Sequence, residues 1–534
     1  MSMDEKTFLR EAGQKAWERF TSGKAGWDYV IITASNFSQG EGFKAQIRER
    51  LEAGFLPSSA HYGVVPDPEG ERVGNGGAVL GALRYVFARE GTFRELRILV
   101  ILSSGDSRRA AQYSAVGKIF SPVPRTLPNG RASTLFDEAM IALSPIPDKI
   151  TEGVLVISGD VMLSFDAESF DPGNADAAAI AFPEPAATGA GHGVFLRNDE
   201  GNIARVWHKQ KPEVLKGYGA VDENGFVNID TGAVFFSPRV AEALYSLVCD
   251  EEGRCTDGTF RRIVNGHLAP SLYVDFFYPL ADGSNCDGYM YEIPEGRMSP
   301  ELLELRKRIW RVLRPYRIRL CTLAPSRFIH FGTTADVAEL MSAGIDEYAY
   351  LGWKKQVGSN VDDRETAAYN SYGRGTFGKN VYLEDCVILS GDIGDRVILS
   401  GLEIDGETVP SDVVLHCLKL TDGRYVTRIY GIHDDPKCRD VRLFGIKPDL
   451  GDVWGNWDHD LWHAVIYPAC GTMKESIDAA LNLYALIHGA GNRTAWNEAQ
   501  KESLYSSFCK ADGAAIHLWQ KKVQEKIARV MPDK

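Results

Sequence analysis

Residues 97–125 read RILVILSSGDSRRAAQYSAVGKIFSPVPR, and the rest of the chain is best read outward from them. The stretch opens on an apolar run, Ile98–Leu102, whose length and β-branched content predict a buried strand. A loop of small polar residues follows, Ser103-Ser104-Gly105-Asp106-Ser107, and then Arg108 and Arg109. Lys118 comes ten residues after Arg108, and Pro122 and Pro124 close the stretch. A strand ending in small residues lets backbone N–H groups approach an anion closely, because no large side chain stands in the way. Arginines and a lysine beyond such a loop supply the positive charge that a polyphosphate needs. A plain strand-to-helix turn with solvated arginines is the competing reading of the loop taken alone.

The chain is 534 residues long, enough for two or three domains with a substantial core. Its 44% hydrophobic and 25% charged residues are those of an ordinary globular protein. A formal net charge of −13 argues against a nucleic-acid binder, yet a local Arg/Lys pocket can still hold a phosphate. The nine cysteines are scattered with no Cys-x-x-Cys, which predicts reduced thiols in a cytoplasmic protein. The first residues, MSMDEKTFLR, lack the apolar core of a signal peptide, and no apolar run approaches the roughly 18 residues of a membrane span.

Phe8, Ala12, Ala16 and Phe20 fall four apart, predicting an amphipathic helix over residues 4–22. Trp27–Ala34 predicts a first buried strand and Phe43–Leu51 a charged helix. Gly74, Asn75, Gly76 and Gly77 open a further helix carried by Val79, Leu83, Val86 and Phe87. A glycine loop at a helix N-terminus suits a base or a phosphate, but equally a turn packed tightly against another segment. Gly153–Val161 predicts a strand ending at Asp160, on the edge where open α/β sheets bind ligands. Beside a triphosphate that carboxylate is a hard ligand for Mg²⁺; the alternative is a turn cap. Asn198–Asn202 is a hairpin turn, and Lys209, Lys211, Asn228 and Asp230 are polar strand-edge residues suited to sugar hydroxyls or to plain solvation. Ser299-Pro300 starts a helix that runs to about Leu313, and Ile318–Leu323 is another strand.

From Phe377 the pattern changes. FGKNVYLEDCVILSGD, IGDRVILSGLEIDGET and VPSDVVLHCLKLTDGR align without a gap at 16 residues each. Val381, Val397 and Val413 correspond, as do Leu383, Leu399 and Leu415, then Cys386, Leu402 and Leu418, then Ile388, Ile404 and Leu420. A short fixed period with recurrent aliphatics predicts a β-solenoid of stacked coils, with Asp395 exposed at a corner. After Leu450 the chain turns aromatic and helical, predicting a cap on the last coil. His459 and His463 in HDLWH have the spacing of a helical metal pair, but no third ligand or neighbouring glutamate accompanies them.

The loop at 103–118, with its glycine, arginines and lysine, resembles the signature loop of the sugar-phosphate nucleotidyltransferases. Taken with VPDPEGERVGNGGAVL, VLVISGDV, NIDTGAVFFSP, FIHFGTT and LWHAVIYPA, the chain resembles the L-fucose-1-phosphate guanylyltransferase family, and the pyrophosphorylase half of bifunctional fucokinases. No second phosphate loop of the kinase type accompanies these motifs, so the chain looks like a stand-alone transferase. The resemblance implies a Rossmann-like α/β nucleotidyltransferase domain of the glycosyltransferase-A type, a left-handed-type parallel β-helix and a C-terminal helical region. The boundaries expected are a helix at 1–25, the catalytic domain at 26–335, a linker at 336–376, the β-helix at 377–450 and the cap at 451–534.

The implied substrates are GTP and β-L-fucose 1-phosphate, with GDP-L-fucose and pyrophosphate as products and Mg²⁺ as cofactor. Arg108 and Arg109 would then grip the β- and γ-phosphates and Lys118 the α-phosphate, while Asp160 binds the metal. Gly74, Asn75, Gly76 and Gly77, with Gly105, Asp106 and Ser107, are the nucleotide-side candidates. Lys211, Asn228, Asp230 and Thr231 are the sugar-side ones. Better-known relatives carry an acid where this chain has His330, so Asp230 or Asp275 is left to complete the metal site. Homo-oligomers through the β-helix are a further expectation; nucleic acid and membrane are not. Another hexose phosphate or nucleotide, or a non-catalytic sensor of sugar nucleotides, remains open at this stage.

Overall fold

The computed structural model describes residues 1–24, 26–293, 297–439, 441–447 and 460–530. The chain divides into two compact units, one of residues 1–40, 47–105 and 136–329 and the other of residues 41–46, 106–135 and 330–534. Among the described residues no helix is long and apolar enough to cross a membrane.

The first unit begins with helix α1 (Met3–Thr21), capped by Ser2 and Glu5 in a reciprocal box. Its buried stripe is Leu9, Ala12, Ala16 and Phe20, so Leu9 takes the place expected of Phe8, which is exposed. The strands β1 (Tyr29–Ala34), β2 (His61–Pro66), β3 (Arg97–Leu102) and β4 (Gly153–Ser158) follow, with α2 (Phe37–Glu52) between β1 and β2 and α3 (Gly74–Glu90) between β2 and β3. Registers run Tyr29 beside His61, Tyr29 beside Ile98, and Ile98 beside Val154, all parallel. β1, β3 and β4 are almost wholly buried, as parallel strands covered on both faces must be, which is why they read as continuous apolar runs.

The order β2-β1-β3-β4 places β2 and β3 on opposite sides of β1. That reversal opens a crevice at the carboxyl ends of the strands. Five more strands extend the sheet: β5 (Ala177–Pro185), β6 (Gly193–Arg197), β7 (Ile203–His208), β8 (Phe226–Phe236) and β9 (Ile318–Thr322). Of these, β8 lies antiparallel to β4, with Val234 beside Val156, and bulges between Asp230 and Ala233 where it runs along β5.

The second unit holds short strands stacked in parallel. β10 (Gln356–Val357), β11 (Ala367–Tyr369), β12 (Tyr382–Glu384), β13 (Ile398–Ser400) and β14 (Val413–Lys419) form one sheet. Asn360–Val361, Tyr372–Gly373, Val387–Ile393 and Glu403–Val409 form a second. Gln356 lies beside Ala368, Ala368 beside Leu383, Leu383 beside Leu399 and Leu399 beside Leu415, steps of 12, 15, 16 and 16 residues. Leu383, Leu399 and Leu415 are each 0% exposed, stacked in one column.

Three expectations change here. Residues 336–376 are not a linker, since they carry the first paired strands; their steps of 12 and 15 hide them from a search for 16. The third repeat matches only through its first half. β14 turns at Asp422-Gly423 and returns antiparallel as β15 (Tyr425–Gly431), with His416 beside Arg428, so Leu420 does not stack on Ile404. Nor is Asp395 a free corner, because its Oδ1 accepts from Lys379 N–H at 2.7 Å and its own N–H donates to Ser411 Oγ at 2.9 Å.

Leu399→Asp should abolish the thermal transition or the soluble yield, because an unpaired carboxylate there costs several kcal/mol at minimum. Asp395→Ala should cost about 1 kcal/mol for the lost coil-to-coil bond, read as a small fall in melting temperature. A soluble Leu399→Asp protein with an unshifted melt contradicts the register.

Candidate functional site

At the carboxyl edge of the first unit, backbone geometry gathers small polar groups. Ser103 N–H donates to Thr33 Oγ1 at 3.0 Å, joining β3 to β1. The Ser35 N–H and hydroxyl both donate to Gln39 Oε1 at 2.8 Å. Asp67 leaves the end of β2 buried, and burial pushes its carboxyl well above the usual range despite hydrogen bonds from Ser104 and Val73 N–H. Asp67 was not among the residues singled out beforehand. The reasoning that found Asp160, a carboxylate just past a strand end, applies to it equally.

On the next strands along, Ser158 Oγ donates to Asp160 Oδ1 at 2.7 Å. Gly232, at φ 73°, presses on Ser158, where an added Cβ would come within 2.8 Å of that side chain. Its N–H donates to Asp230 Oδ1 at 2.8 Å. The β4–β8 pairing therefore brings Asp160 and Asp230 to one end of the sheet. Burial pushes the Asp230 carboxyl up to about 7 against the opposing hydrogen bond from Gly232 N–H, with no cation of the described residues among the causes. Asp275 is already spent: it pairs with buried Arg306 at 3.0 Å and accepts from Ser271 N–H and Tyr289 Oη, so it is not left over to complete a metal site. Among the described residues no group of three or more His, Cys, Asp and Glu is placed to hold a metal ion.

The other sugar-side candidates scatter. Thr231 Oγ1 donates to Ile180 O at 2.6 Å inside the sheet, and Asn228 Oδ1 accepts from Thr322 Oγ1 at 2.9 Å. Lys211 is exposed at the N-cap of a short helix, Pro212–Gly217.

The glycines of the 74–77 loop have a packing reason. A Cβ on Gly74 would sit 2.7 Å from both Ala269 O and Pro270 O, and one on Gly76 would sit 2.7 Å from Pro270 O. Gly76 N–H donates to Pro270 O at 2.9 Å and Leu272 N–H to Asn75 Oδ1 at 2.6 Å. On the other flank a cavity of about 330 Å³ is lined by Asp67, Val73, Gly77, Gly81, Arg84 and Phe260 among others.

The boundary between the units falls inside the signature loop, between Gly105 and Asp106. Within the second unit Ser107 adopts a left-handed conformation, φ 49°, and starts the turn Arg108–Tyr113. The Arg108 guanidinium pairs with Asp106, lies 3.8 Å from Asp460 Oδ2, and faces the Trp462 ring at 5.7 Å. Arg109 presents an exposed side chain, and its carbonyl accepts from Thr334 Oγ1 at 3.2 Å. Lys118 is buried, its ammonium donating to Gly332 O at 3.0 Å. A Cβ on Gly332 would fall 2.7 Å from both His330 and Asp336, so Lys118 is held on the FIHFGTT turn itself. His463 Nδ1 is 2.6 Å from Asp460 Oδ1; His459, like Trp454 and Trp457, lies outside the described residues.

What anchors this segment is a polar row across the parallel sheet. Arg428 donates to Ala111 O at 2.7 Å and to Ser114 Oγ at 3.0 Å. Tyr430 Oη donates to Gln112 Oε1 at 3.0 Å, and Tyr113 Oη to Glu384 Oε2 at 3.0 Å. Burial first, then the charge of Asp385, push the Glu384 carboxyl up to about 8.

A mixed α/β sheet with a ligand crevice, a phosphate-type loop and strand-end carboxylates is the kit of a nucleotide-handling enzyme. The model of the fucose pyrophosphorylase domain matches residues 91–472, and the chain belongs to that family. It is 25% identical to mouse fucose-1-phosphate guanylyltransferase, over 90% of this chain and 91% of that protein. To the human protein of the same name it is 25% identical, over 92% and 90%. It is 24% identical to the Arabidopsis thaliana bifunctional fucokinase/GDP-fucose pyrophosphorylase, covering 90% of this chain and 50% of that longer protein. Among solved structures, HddC from Yersinia pseudotuberculosis complexed with GMP-PN aligns over 58% of this chain and 96% of its own at 10% identity, with a TM-score of 0.25 that carries no fold argument.

Gly76→Ala should lower the melting temperature equally with and without GTP, since overpacking against Pro270 costs roughly 1–3 kcal/mol. Glu384 makes a second, pH-dependent prediction. Its folded carboxyl binds a proton more tightly than the unfolded one, so its contribution to stability is full below about pH 4.5 and is lost as pH rises through about 8. Between about pH 5 and about pH 8.5 the melting temperature should therefore fall more steeply in the wild type than in Glu384→Gln.

Proposed function

We propose that this protein transfers a guanylyl group from GTP to β-L-fucose 1-phosphate, giving GDP-L-fucose and pyrophosphate. The observation that carries this reading is the family match over residues 91–472, which takes in the signature loop, Asp160, Asp230 and the FIHFGTT turn. The names of the mouse and human relatives, aligned along nine-tenths of the chain, supply the sugar and the base.

A phosphate oxygen of the sugar phosphate attacks the α-phosphorus as the bond to pyrophosphate breaks, so the protein's task is to position reactants and balance charge. Lys118 suits the α-phosphate. Its side chain is buried, and a positive charge facing an anion is worth more away from water. Arg108 and Arg109 suit the leaving pyrophosphate. Arg108 is parked on Asp106 and Asp460, a pairing that an incoming phosphate would compete with. The bare backbone of Ser103–Gly105 suits the phosphate chain, with Asp106 and Ser107 as its continuation.

Asp160 and Asp230 fit Mg²⁺, which takes one or two carboxylates and completes its shell with water and substrate phosphate. Asp230 is a buried carboxylate that such an ion would relieve. When bound, Mg²⁺ would neutralise the phosphate oxygens. Lys211 and Asn228 remain the sugar-side candidates. The Gly74–Gly77 loop acts in this reading through its cavity flank rather than through the faces filled by Ala269 and Pro270. We further read the stacked coils as a left-handed-type parallel β-helix capped by the helices after residue 460, able to support self-association, in a protein of the cytoplasm.

Pyrophosphate release measured over a panel of nucleoside triphosphates and sugar 1-phosphates should be highest for GTP with L-fucose 1-phosphate. Lys118→Ala should lower that turnover at least ~100-fold, about 3 kcal/mol of barrier, with its melt little changed. No release with any pair, or near-normal turnover of a folded Lys118→Ala protein, contradicts the reading.

A further inference from the structure

A second cavity lies within the second unit, and none of the residues assigned to nucleotide, sugar or metal lines it. It holds about 160 Å³, and the outward face of the parallel sheet forms one wall. Glu384 on β12, Ser400 on β13 and His416 on β14 are register partners, so they form a straight row across three strands. Each is at most 4% exposed, although all three are polar. Gln112 and Val116 of the signature segment close a second side, and Trp519, Ile516 and Lys522 of the last helix, Gly513–Val530, a third. Hydrogen bonds seat that helix: Trp519 Nε1–H to Asp385 O and Gln520 Nε2–H to Asp385 Oδ2, both 2.8 Å, and Asn370 Nδ2–H to Gln520 O at 3.1 Å.

The groups of this wall are not all used by the fold. Gln112 is 1% exposed; its Oε1 accepts from Tyr430 and Thr334, and its buried Nε2 finds no partner among the described residues. Leaving a buried amide donor unmade costs roughly 1–3 kcal/mol, which a ligand would recover. His416 Nδ1 faces Arg428, a group that can only donate, so Nδ1 accepts and the ring proton sits on Nε2. Tyr113 and Tyr382 both bond Glu384 through Oε2, leaving Oε1 to neither. The cavity is thus faced by amide, hydroxyl and imidazole donors, two carboxyl groups (Glu384 and Asp385) and an indole, with Lys419 and Lys522 also on its lining.

Donors and carboxyl groups around an aromatic wall suit a hydroxylated ring, and two ammonium groups suit a phosphate. The volume lies below the ~300 Å³ at which pockets for drug-sized ligands begin, which excludes a nucleotide. We propose that this cavity binds a monosaccharide phosphate as a second, non-catalytic ligand. Its hydroxyls meet Gln112, Ser400, His416 and Glu384, its ring lies along Trp519, and its phosphate is held by Lys419 and Lys522. Through Gln112 and Val116 the ligand touches the segment that carries Arg108, Arg109 and Lys118, so its occupancy adjusts turnover. Only this coupling rests on the proposed catalytic role; the binding does not.

Calorimetry on the full chain without nucleotide tests the site, using glucose 6-phosphate and fructose 6-phosphate, whose phosphates are not on the anomeric carbon. Saturable binding of at least one is expected, abolished in Ser400→Met, which fills the cavity, and at least tenfold weaker in Lys522→Glu. Lys522 is on the surface, so this variant keeps the test open if Ser400→Met fails to fold. Neither ester binding, binding unchanged in Lys522→Glu, or inorganic phosphate alone binding as tightly overturns the proposal; equal binding of unphosphorylated glucose does the same. Addition of the bound ester should shift pyrophosphate release in the wild type and not in Lys522→Glu. Binding without that shift upholds the site and overturns the coupling.

Discussion

The guanidinium of Arg428 is 0% exposed, and the cost of burying that cation is met through its terminal N–H groups, its Nε finding no partner among the described residues. Burial pushes it down to about 10, against the opposing pull of Tyr430, Tyr467 and Cys417. Two of its hydrogen bonds go to Ala111 O and Ser114 Oγ, the backbone and side chain of the segment between Arg108 and Lys118. A long basic loop would otherwise be free to move. Here it is tied at one point by a charge that cannot afford to lose its partners, then flanked by Tyr430 on Gln112 and Tyr113 on Glu384. The sheet that carries these side chains, parallel strands and antiparallel return alike, thus does more than fill space. It offers a rigid polar wall on which the phosphate-type segment is laid out.

Much of this was legible in the sequence, and for identifiable reasons. Buried parallel strands leave continuous apolar runs, so β1, β3 and β4 were readable from Tyr29–Ala34, Ile98–Leu102 and Gly153–Ser158. Identical coils leave an identical period, so the column Leu383-Leu399-Leu415 was readable too. The coils at Gln356 and Ala367 were not, because steps of 12 and 15 with strands of two and three residues leave no repeat to align. The hairpin after Lys419 was hidden for the opposite cause. Its aliphatics keep the period of the coils while Gly423, at φ 89°, turns the chain back.

Lys118 and Asp160 could be singled out as candidates from their strand-loop context alone, whereas pairing between distant segments leaves no such local signal. Nothing local to Asp275 announces Arg306, 31 positions away, and nothing in the Gly74–Gly77 loop announces the backbone of Ala269 and Pro270. A glycine required by protein packing and one required by a ligand look the same in one dimension. Only the third dimension says which surface the missing Cβ was making room for.

The eight-stranded sheet of the second unit ends on one side at Gln356–Val357 and on the other at Lys501–Glu502, beyond the antiparallel strands Tyr425–Gly431 and Tyr467–Cys470. Both rims are only two residues long, and one is made of opposite charges. A stack of parallel coils is otherwise a template for fibre growth, because each rung exposes the hydrogen bonds that the next would use. With rims of two residues, that sheet leaves a second molecule little ladder to extend, whereas its neighbour ends on the seven-residue strand Glu403–Val409. What the eight-stranded sheet offers a second molecule is therefore its side-chain faces, where contacts can close on themselves, rather than rungs, where they cannot.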